Sequence, residues 1–106
     1  MIKITTEDTF RNDIAKNGIT LVAFVAHWCK FCGQMETEFE ELERRMPDIT
    51  ILLVDTDRQI ELTERYEVTA LPTILILQNG ITLGKERGFK RAKEMVQLIN
   101  ELAKNI

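Results

Sequence analysis

The sequence is poor in the residues that cross-link, bend or interrupt a chain. Its 106 residues include two cysteines, two prolines, five glycines and one histidine. Two cysteines cannot supply the disulfide framework of a small secreted scaffold. No apolar stretch approaches the ~20 residues of a membrane-spanning helix, so we expect no membrane partner. The apolar fraction of 44% is that of a globular chain rather than a disordered one.

The charge balance shows no basic excess. Fourteen Lys and Arg residues stand against seventeen Asp and Glu residues, which leaves a net charge of −3. A nucleic-acid-binding domain typically carries a strong basic excess, so we expect no nucleic-acid partner. The N-terminal segment has early acidic residues and no apolar secretory core, which predicts a cytoplasmic protein. At this length, residues 1–106 are predicted to form a single domain.

Hydrophobic periodicity changes several times along the chain, as in an alternating α/β protein. Apolar segments predict strands over residues 3–5, 19–26, 49–54 and 73–77, and from residue 81. Helices are predicted from the cap Thr6, with Glu7 and Asp8 in the first turn, from the cysteines to Pro47, and over residues 57–66 and 90–105. The order βαβαβαββα predicts parallel strands joined by right-handed crossovers, an antiparallel edge and helices on both faces.

Two cysteines lie between a buried strand and an amphipathic helix, in the segment Trp28-Cys29-Lys30-Phe31-Cys32. The amides and the dipole of a helix N-terminus stabilise an anion, which favours a thiolate at Cys29. One helical turn separates the two residues by about 5–6 Å, a distance compatible with a disulfide. Cys32 belongs to the apolar stripe of the helix. Cys29 is therefore predicted to attack, and Cys32 to resolve the mixed disulfide from beneath.

Two other uses of the pair stay open from the residues alone. Two cysteines at this spacing form half of many zinc sites, but a structural zinc usually takes four ligands, and His27 is the nearby nitrogen ligand. The pair could also be inert core thiols, although a cysteine at a helix start is poorly placed for that. A preceding strand and a following helix favour redox chemistry. No cofactor is expected, because the cysteine pair itself carries the electrons.

The chain resembles the thioredoxin family over nearly its whole length. The matching segments are residues 25–32, Val54-Asp55, Ala70-Leu71-Pro72-Thr73, Asn79-Gly80 and Gly88. The resemblance implies an α/β thioredoxin fold, with a central mixed five-stranded sheet flanked by four helices. It also implies that Cys29 attacks substrate disulfides, that Cys32 resolves, and that the Leu71–Pro72 bond is cis. A role in electron transport and cell redox homeostasis, with disulfide-containing proteins as substrates and a thioredoxin reductase-like electron donor, would follow.

The chain departs from the family beside the motif. Lys30 and Phe31 stand where the family usually has Gly-Pro. Ala23 stands where it commonly has a buried aspartate, and Ile51 where it has the neighbouring lysine. Both ends of that buried pair are apolar here, so no charge is left without a partner.

A substrate surface is predicted around Cys29. A cis bond before Pro72 would turn the backbone of Leu71 toward the cysteines, where it could pair with an extended substrate segment. The predicted substrate-binding residues are Trp28, Lys30, Phe31, Leu71, Pro72 and Gly88. Trp28 and Phe31 are expected at the surface, whereas Leu71 and Phe89 suit the core and the rim equally. His27 is expected to be a solvated residue at the strand end.

Two groups of charged residues flank this region. A solvated outer helix face is expected for Glu36, Glu38, Glu40, Glu41 and Glu43. Scattered solvated charge is the favoured interpretation of Lys85, Arg87, Lys90, Arg91 and Lys93. The alternative is a basic rim that, with Lys30, attracts acidic partners or glutathione carboxylates.

These residues together predict a monomeric thiol–disulfide oxidoreductase that acts as a protein-disulfide reductase through a mixed disulfide. One alternative is a glutaredoxin-like enzyme with glutathione as donor, which the basic cluster and Phe31 favour and Trp28 disfavours. Another is a thioredoxin fold used as a binding module or as a metal or cluster carrier.

Overall fold

The computed structural model describes residues 1–103 of the chain. Its elements are β1 (Ile2–Ile4), α1 (Phe10–Ile14), β2 (Ile19–Val25), α2 (Lys30–Arg45), β3 (Thr50–Asp55), α3 (Ile60–Arg65), β4 (Thr73–Gln78), β5 (Ile81–Arg87) and α4 (Ala92–Ala103). This order confirms the predicted succession of strands and helices. None of the helices within residues 1–103 is both long and apolar enough to cross a membrane.

The strands form one mixed sheet in the order β1-β3-β2-β4-β5. β3 pairs in parallel with β1 and β2, and β4 runs antiparallel to β2 and β5. The central strand β2 is buried on both faces, which explains its nearly continuous apolar sequence. Because β2 and β3 are parallel, the loops that follow them emerge at the same edge of the sheet. The predicted fold class is confirmed.

Helices cover both faces of the sheet and create two apolar cores. Met35 and Phe39 of α2 and Met95 of α4 pack on one face, and Phe10 and Leu62 pack on the other. Ala23 and Ile51 are fully buried in the first core. The two positions at which the family commonly has a buried charged pair are therefore both apolar and both buried, beneath α2.

The predicted start of α1 is wrong. Thr6 does not cap the helix with its side chain, because its hydroxyl lies 3.3 Å from that of Thr9, and α1 begins at Phe10. Glu7, expected in the first turn, reaches across to α3. Its Oε2 accepts hydrogen bonds from the backbone N–H groups of Glu61 at 2.7 Å and Leu62 at 3.3 Å. Glu7 therefore caps a helix that is distant in sequence.

The other helix boundaries differ by a few residues. α3 begins at Ile60 rather than at residue 57, because Asp55 holds the preceding turn by accepting a hydrogen bond from the N–H of Asp57 at 3.0 Å. α4 begins at Ala92 rather than at Lys90. The predicted end of this helix at Asn105 lies outside the described residues.

Candidate active site

Cys29 is the N-cap residue of α2. It has an extended backbone (φ −88°, ψ 111°), and its Sγ accepts a hydrogen bond from the N–H of Cys32 at 3.3 Å. The N–H of Cys29 donates in turn to the carbonyl of Ala26 at 3.2 Å. The unpaired N–H groups at a helix start stabilise negative charge on the capping atom. With its side chain partly exposed, Cys29 has the surroundings of a nucleophilic thiolate.

Cys32 has the opposite environment. It lies one turn into α2 with only 5% of its surface exposed. Burial, together with the hydrogen bond to Cys29, raises the pKa of the Cys32 thiol to about 12. Both residues are free thiols, so the structure shows the reduced pair. One thiol is thus partly exposed at a helix start, and the other is buried, with a raised pKa.

The loop before β4 lies beside Gly88, which follows β5. The Leu71–Pro72 bond is cis, as the resemblance implied. The carbonyl of Pro72 accepts a hydrogen bond from the N–H of Gly88 at 2.8 Å, and Gly88 has a φ of +90°, which favours glycine. Leu71 and Gly88 are half-buried, whereas Pro72 is buried. Pro72 therefore shapes this loop more than it covers the surface.

Two aromatic residues near Cys29 in the sequence lie at the surface, as predicted. Trp28 is 71% exposed and Phe31 is 54% exposed. Phe31 lies against the half-buried Phe89, with ring centroids 6.4 Å apart, and the guanidinium of Arg91 lies 5.2 Å from the centre of the Phe89 ring. Lys30 is exposed between the two cysteines. The surface next to Cys29 is thus apolar with basic groups at its edge.

The expectation of a solvated outer face is wrong for Glu38. One of its carboxylate oxygens accepts a hydrogen bond from the N–H of Ala92 at 2.9 Å, and the other pairs with Arg91 at 3.5 Å. Glu38 therefore joins α2 to the start of α4. Among the basic residues, Lys85 and Lys90 each donate to a backbone carbonyl, those of Tyr66 and Arg87 respectively.

A cleft of about 520 Å³ opens on the side of Cys32 that faces β1 and β3. Its apolar walls come from Ile4, Val25, Phe39 and Leu53, and its other lining residues include Cys32, Glu36, His27, Asp55 and Arg58. The His27 side chain is 96% exposed, and its Nε2 lies 3.9 Å from Oδ2 of Asp55. The predicted solvated position of His27 is confirmed.

Sequence reasoning missed Asp57 as a neighbour of the motif. Its Oδ2 accepts a hydrogen bond from the indole Nε1 of Trp28 at 3.0 Å, across 29 residues of chain. No local pattern marks such a pair. The available indication was the predicted parallel pairing of two strands, because the segments after their carboxyl ends meet at one edge of the sheet.

The family model that matches this chain is that of thioredoxin, and the match covers residues 1–101. The chain belongs to the thioredoxin family. Thioredoxin from Chlamydia trachomatis is 30% identical over 95% of this chain and 98% of its own length. Thioredoxin from Bacillus subtilis is 31% identical over 91% of this chain and 92% of its own. Family membership and the Cys29–Cys32 pair together make this protein a thiol–disulfide oxidoreductase.

Solved structures of thioredoxins match the whole architecture. The structure of Plasmodium falciparum thioredoxin has a TM-score of 0.83 at 29% identity and covers 95% of this chain and 99% of that one. The oxidised mitochondrial thioredoxin 3 from Saccharomyces cerevisiae has a TM-score of 0.84 at 29% identity, covering 95% and 94%.

Proposed function

We propose that this thioredoxin-family protein reduces disulfides in protein substrates, with Cys29 as the attacking thiol and Cys32 as the resolving thiol. The observation that carries the proposal is the asymmetry of the pair. Cys29 caps α2 and is partly exposed, whereas Cys32 is buried beneath it and hydrogen-bonded to its sulfur. An exposed thiolate can reach a substrate, and a buried thiol one turn away can reach only the mixed disulfide.

The reaction has two exchange steps. The Cys29 thiolate attacks one sulfur of the substrate disulfide, forms a mixed disulfide and releases the other substrate sulfur as a thiolate. Cys32, once deprotonated, attacks the sulfur of Cys29 and releases the second substrate sulfur. The substrate gains two electrons and two protons, and the enzyme is left with a Cys29–Cys32 disulfide. No bound cofactor takes part in this scheme.

The substrate segment is proposed to lie across the surface beside Cys29. Trp28 and Phe31 offer exposed aromatic area, and Lys30 a positive charge between the cysteines. Leu71 is proposed to pair through its backbone with the extended segment, while Pro72 and Gly88 hold that loop in place through their 2.8 Å hydrogen bond.

The cellular setting follows the family. We propose that residues 1–106 act as one monomeric domain in the cytoplasm, in electron transport and cell redox homeostasis. A thioredoxin reductase-like flavoprotein is the proposed donor of electrons. The relatives that support this setting include thioredoxins from the bacteria Chlamydia trachomatis and Bacillus subtilis.

The roles of the two thiols are tested by trapping. Cys32→Ser should accumulate a covalent complex with a disulfide-containing protein, because the mixed disulfide on Cys29 cannot be resolved. Cys29→Ser should not. Non-reducing gel electrophoresis after incubation with oxidised insulin measures both. Equal trapping by the two variants would contradict the assignment.

Glutathione is the second candidate donor. The observation that favours it is the position of Arg91 over Phe89, close to Phe31, which places a guanidinium near the motif. Coupled turnover separates the donors: NADPH oxidation is followed with thioredoxin reductase, or with glutathione and glutathione reductase. Turnover in the second system alone would replace the proposed donor.

A further inference from the structure

Cys32 must lose a proton before it can resolve the mixed disulfide, because the thiolate is the nucleophile. Its burial holds this proton tightly. In the sheet beneath α2, the side chains of Ala23 and Ile51 are apolar and fully buried, so neither can accept the proton. A proton acceptor therefore has to reach Cys32 from another direction.

The cleft beside Cys32 supplies that direction. At about 520 Å³ it is large enough to admit water, whose share of liquid volume is about 30 Å³. The titratable and charged groups that line it, besides Cys32, are His27 after β2, Glu36 on α2, Asp55 at the end of β3 and Arg58 before α3. Each of these groups belongs to a different segment around the cleft.

Three of these groups are poorly suited to the task. Arg58 carries no acceptor. His27 is almost fully exposed, and its ring is directed at Asp55. Asp55 is already engaged: its Oδ2 lies 3.8 Å from Arg58, and its Oδ1 accepts the N–H of Asp57. Both oxygens of the Asp55 carboxylate therefore already have partners.

Glu36 has the favourable position. It lies on α2 four residues after Cys32, and both residues line the cleft. Side chains four apart on a helix are about 5–6 Å apart at their Cβ atoms, a gap that one water can bridge. Helical side chains also tilt toward the N-terminus, which inclines Glu36 over the turn that contains Cys32.

We infer that Glu36 accepts the proton of Cys32 through water in the cleft when the mixed disulfide is resolved. The inference rests on the proposed function and deepens its second step. The S–H bond of Cys32 breaks, the proton passes through water to the Glu36 carboxylate, and the electron pair of the thiolate forms the bond to the sulfur of Cys29. The bond between the sulfur of Cys29 and the substrate sulfur breaks, and the substrate sulfur leaves as a thiolate with the electron pair of that broken bond. Glu36 then returns its proton to the solvent.

A chromogenic aromatic disulfide separates the two steps in a stopped-flow experiment. Attack by Cys29 releases one coloured thiolate in a phase whose rate rises with protein concentration. Resolution by Cys32 releases the second in a phase that is independent of concentration.

Glu36→Gln should slow the second phase by about 10²-fold, the lower end of general base catalysis, and leave the first phase unchanged. Added acetate or formate should partly restore the second phase. Glu40→Gln is the matched control, because Glu40 is exposed on the same helix and is not among the residues that line the cleft.

The outcomes separate this inference from the proposed function. If Glu36→Gln and Glu40→Gln resolve at the same rate, Glu36 is not the acceptor. If Asp55→Asn slows the second phase and Glu36→Gln does not, the acceptor is Asp55 and the inference is overturned. Loss of the first phase in the unaltered protein would refute the proposed function itself, since that phase depends on Cys29 alone.

Discussion

The indole N–H of Trp28 donates a hydrogen bond to the carboxylate of Asp57 at 3.0 Å, joining the loop after β2 to the loop after β3. The indole is otherwise 71% exposed. A large aromatic side chain in solvent has several accessible rotamers, and this one bond restricts them. The orientation of the residue that precedes Cys29 therefore depends on a carboxylate from another strand–helix connection.

Asp57→Ala should free the indole ring. The chain contains a single tryptophan, so its fluorescence reports on this residue alone. We expect lower steady-state anisotropy and more efficient acrylamide quenching, with a loss of unfolding free energy of about 1 kcal/mol or less. Asp48→Ala is the control, because Asp48 is also exposed and follows a helix. An indole signal that Asp57→Ala leaves unchanged would show that the bond does not hold the ring.

Glu7 contributes stability at a distance, through α3. Its carboxylate accepts two backbone N–H groups at the start of that helix, and a negative charge is favourable there. Glu7→Ala should lower the free energy of unfolding by about 1 kcal/mol, measured by urea denaturation. Glu7→Gln should retain part of this, because the amide oxygen still accepts. The neighbouring Asp8→Ala should have an effect within about 0.5 kcal/mol. Equal losses for Glu7→Ala and Asp8→Ala would contradict the cap.

Glu7 also shows which contacts cannot be predicted from the sequence. A strand such as β2 is predictable because its own residues form a nearly continuous apolar run, which indicates burial. The burial of Cys32 is predictable in the same way, from the apolar stripe of α2. The bond from Glu61 to Glu7 spans 54 residues, and that from Ala92 to Glu38 also spans 54. A carboxylate that caps a distant helix looks like any solvated acidic residue in its own segment. The cysteine motif was predictable because its chemistry is local, whereas the groups that support it from other elements leave no local pattern.

Ala23 and Ile51 are diagonal neighbours on one face of the β2–β3 pair, since Ala23 is paired with Leu53 and Leu21 with Ile51. Both are fully buried. Ala23→Asp should lower the free energy of unfolding at neutral pH by about 3 kcal/mol, because the core offers the new carboxylate no partner. The loss should shrink as the pH falls from neutral toward about 4, because burial raises the pKa of the introduced carboxyl in the folded state above its unfolded value. Below about pH 4 the group is protonated in both states, and the loss should stay constant. Urea denaturation at several pH values measures this.

Adding Ile51→Lys should restore part of that stability. The two substitutions place opposite charges on neighbouring strands. The double variant should therefore lose less unfolding free energy than the two single variants lose together, by about 1 kcal/mol or more. Ile51→Lys alone is the control and should be destabilising. Strict additivity of the two losses would show that the two positions do not interact.

Asp13 makes the stability of the fold depend on pH. Its Oδ1 lies 2.9 Å from the Lys3 ammonium, and its Oδ2 accepts a hydrogen bond from the hydroxyl of Thr5 at 2.8 Å. Burial by itself raises the pKa of Asp13, but the hydrogen bonds from Lys3 and Thr5 outweigh it, so the pKa lies below its ordinary value of 3.8. The charged form of Asp13 is therefore favoured by folding.

A carboxyl with a lowered pKa in the folded state stabilises the protein fully above its unfolded pKa and loses that contribution as the pH falls through the folded value. Asp13→Asn should lower the free energy of unfolding at pH 7 by about 1–3 kcal/mol, the range for hydrogen bonds to a charged group. The difference from the unaltered protein should diminish below about pH 4, because Asp13 itself is then becoming protonated. Urea denaturation from pH 7 downward measures it, with Asp8→Asn as the control for an exposed carboxylate near the same helix. A difference that stayed constant across this pH range would mean that Asp13 contributes by packing and not by its charge.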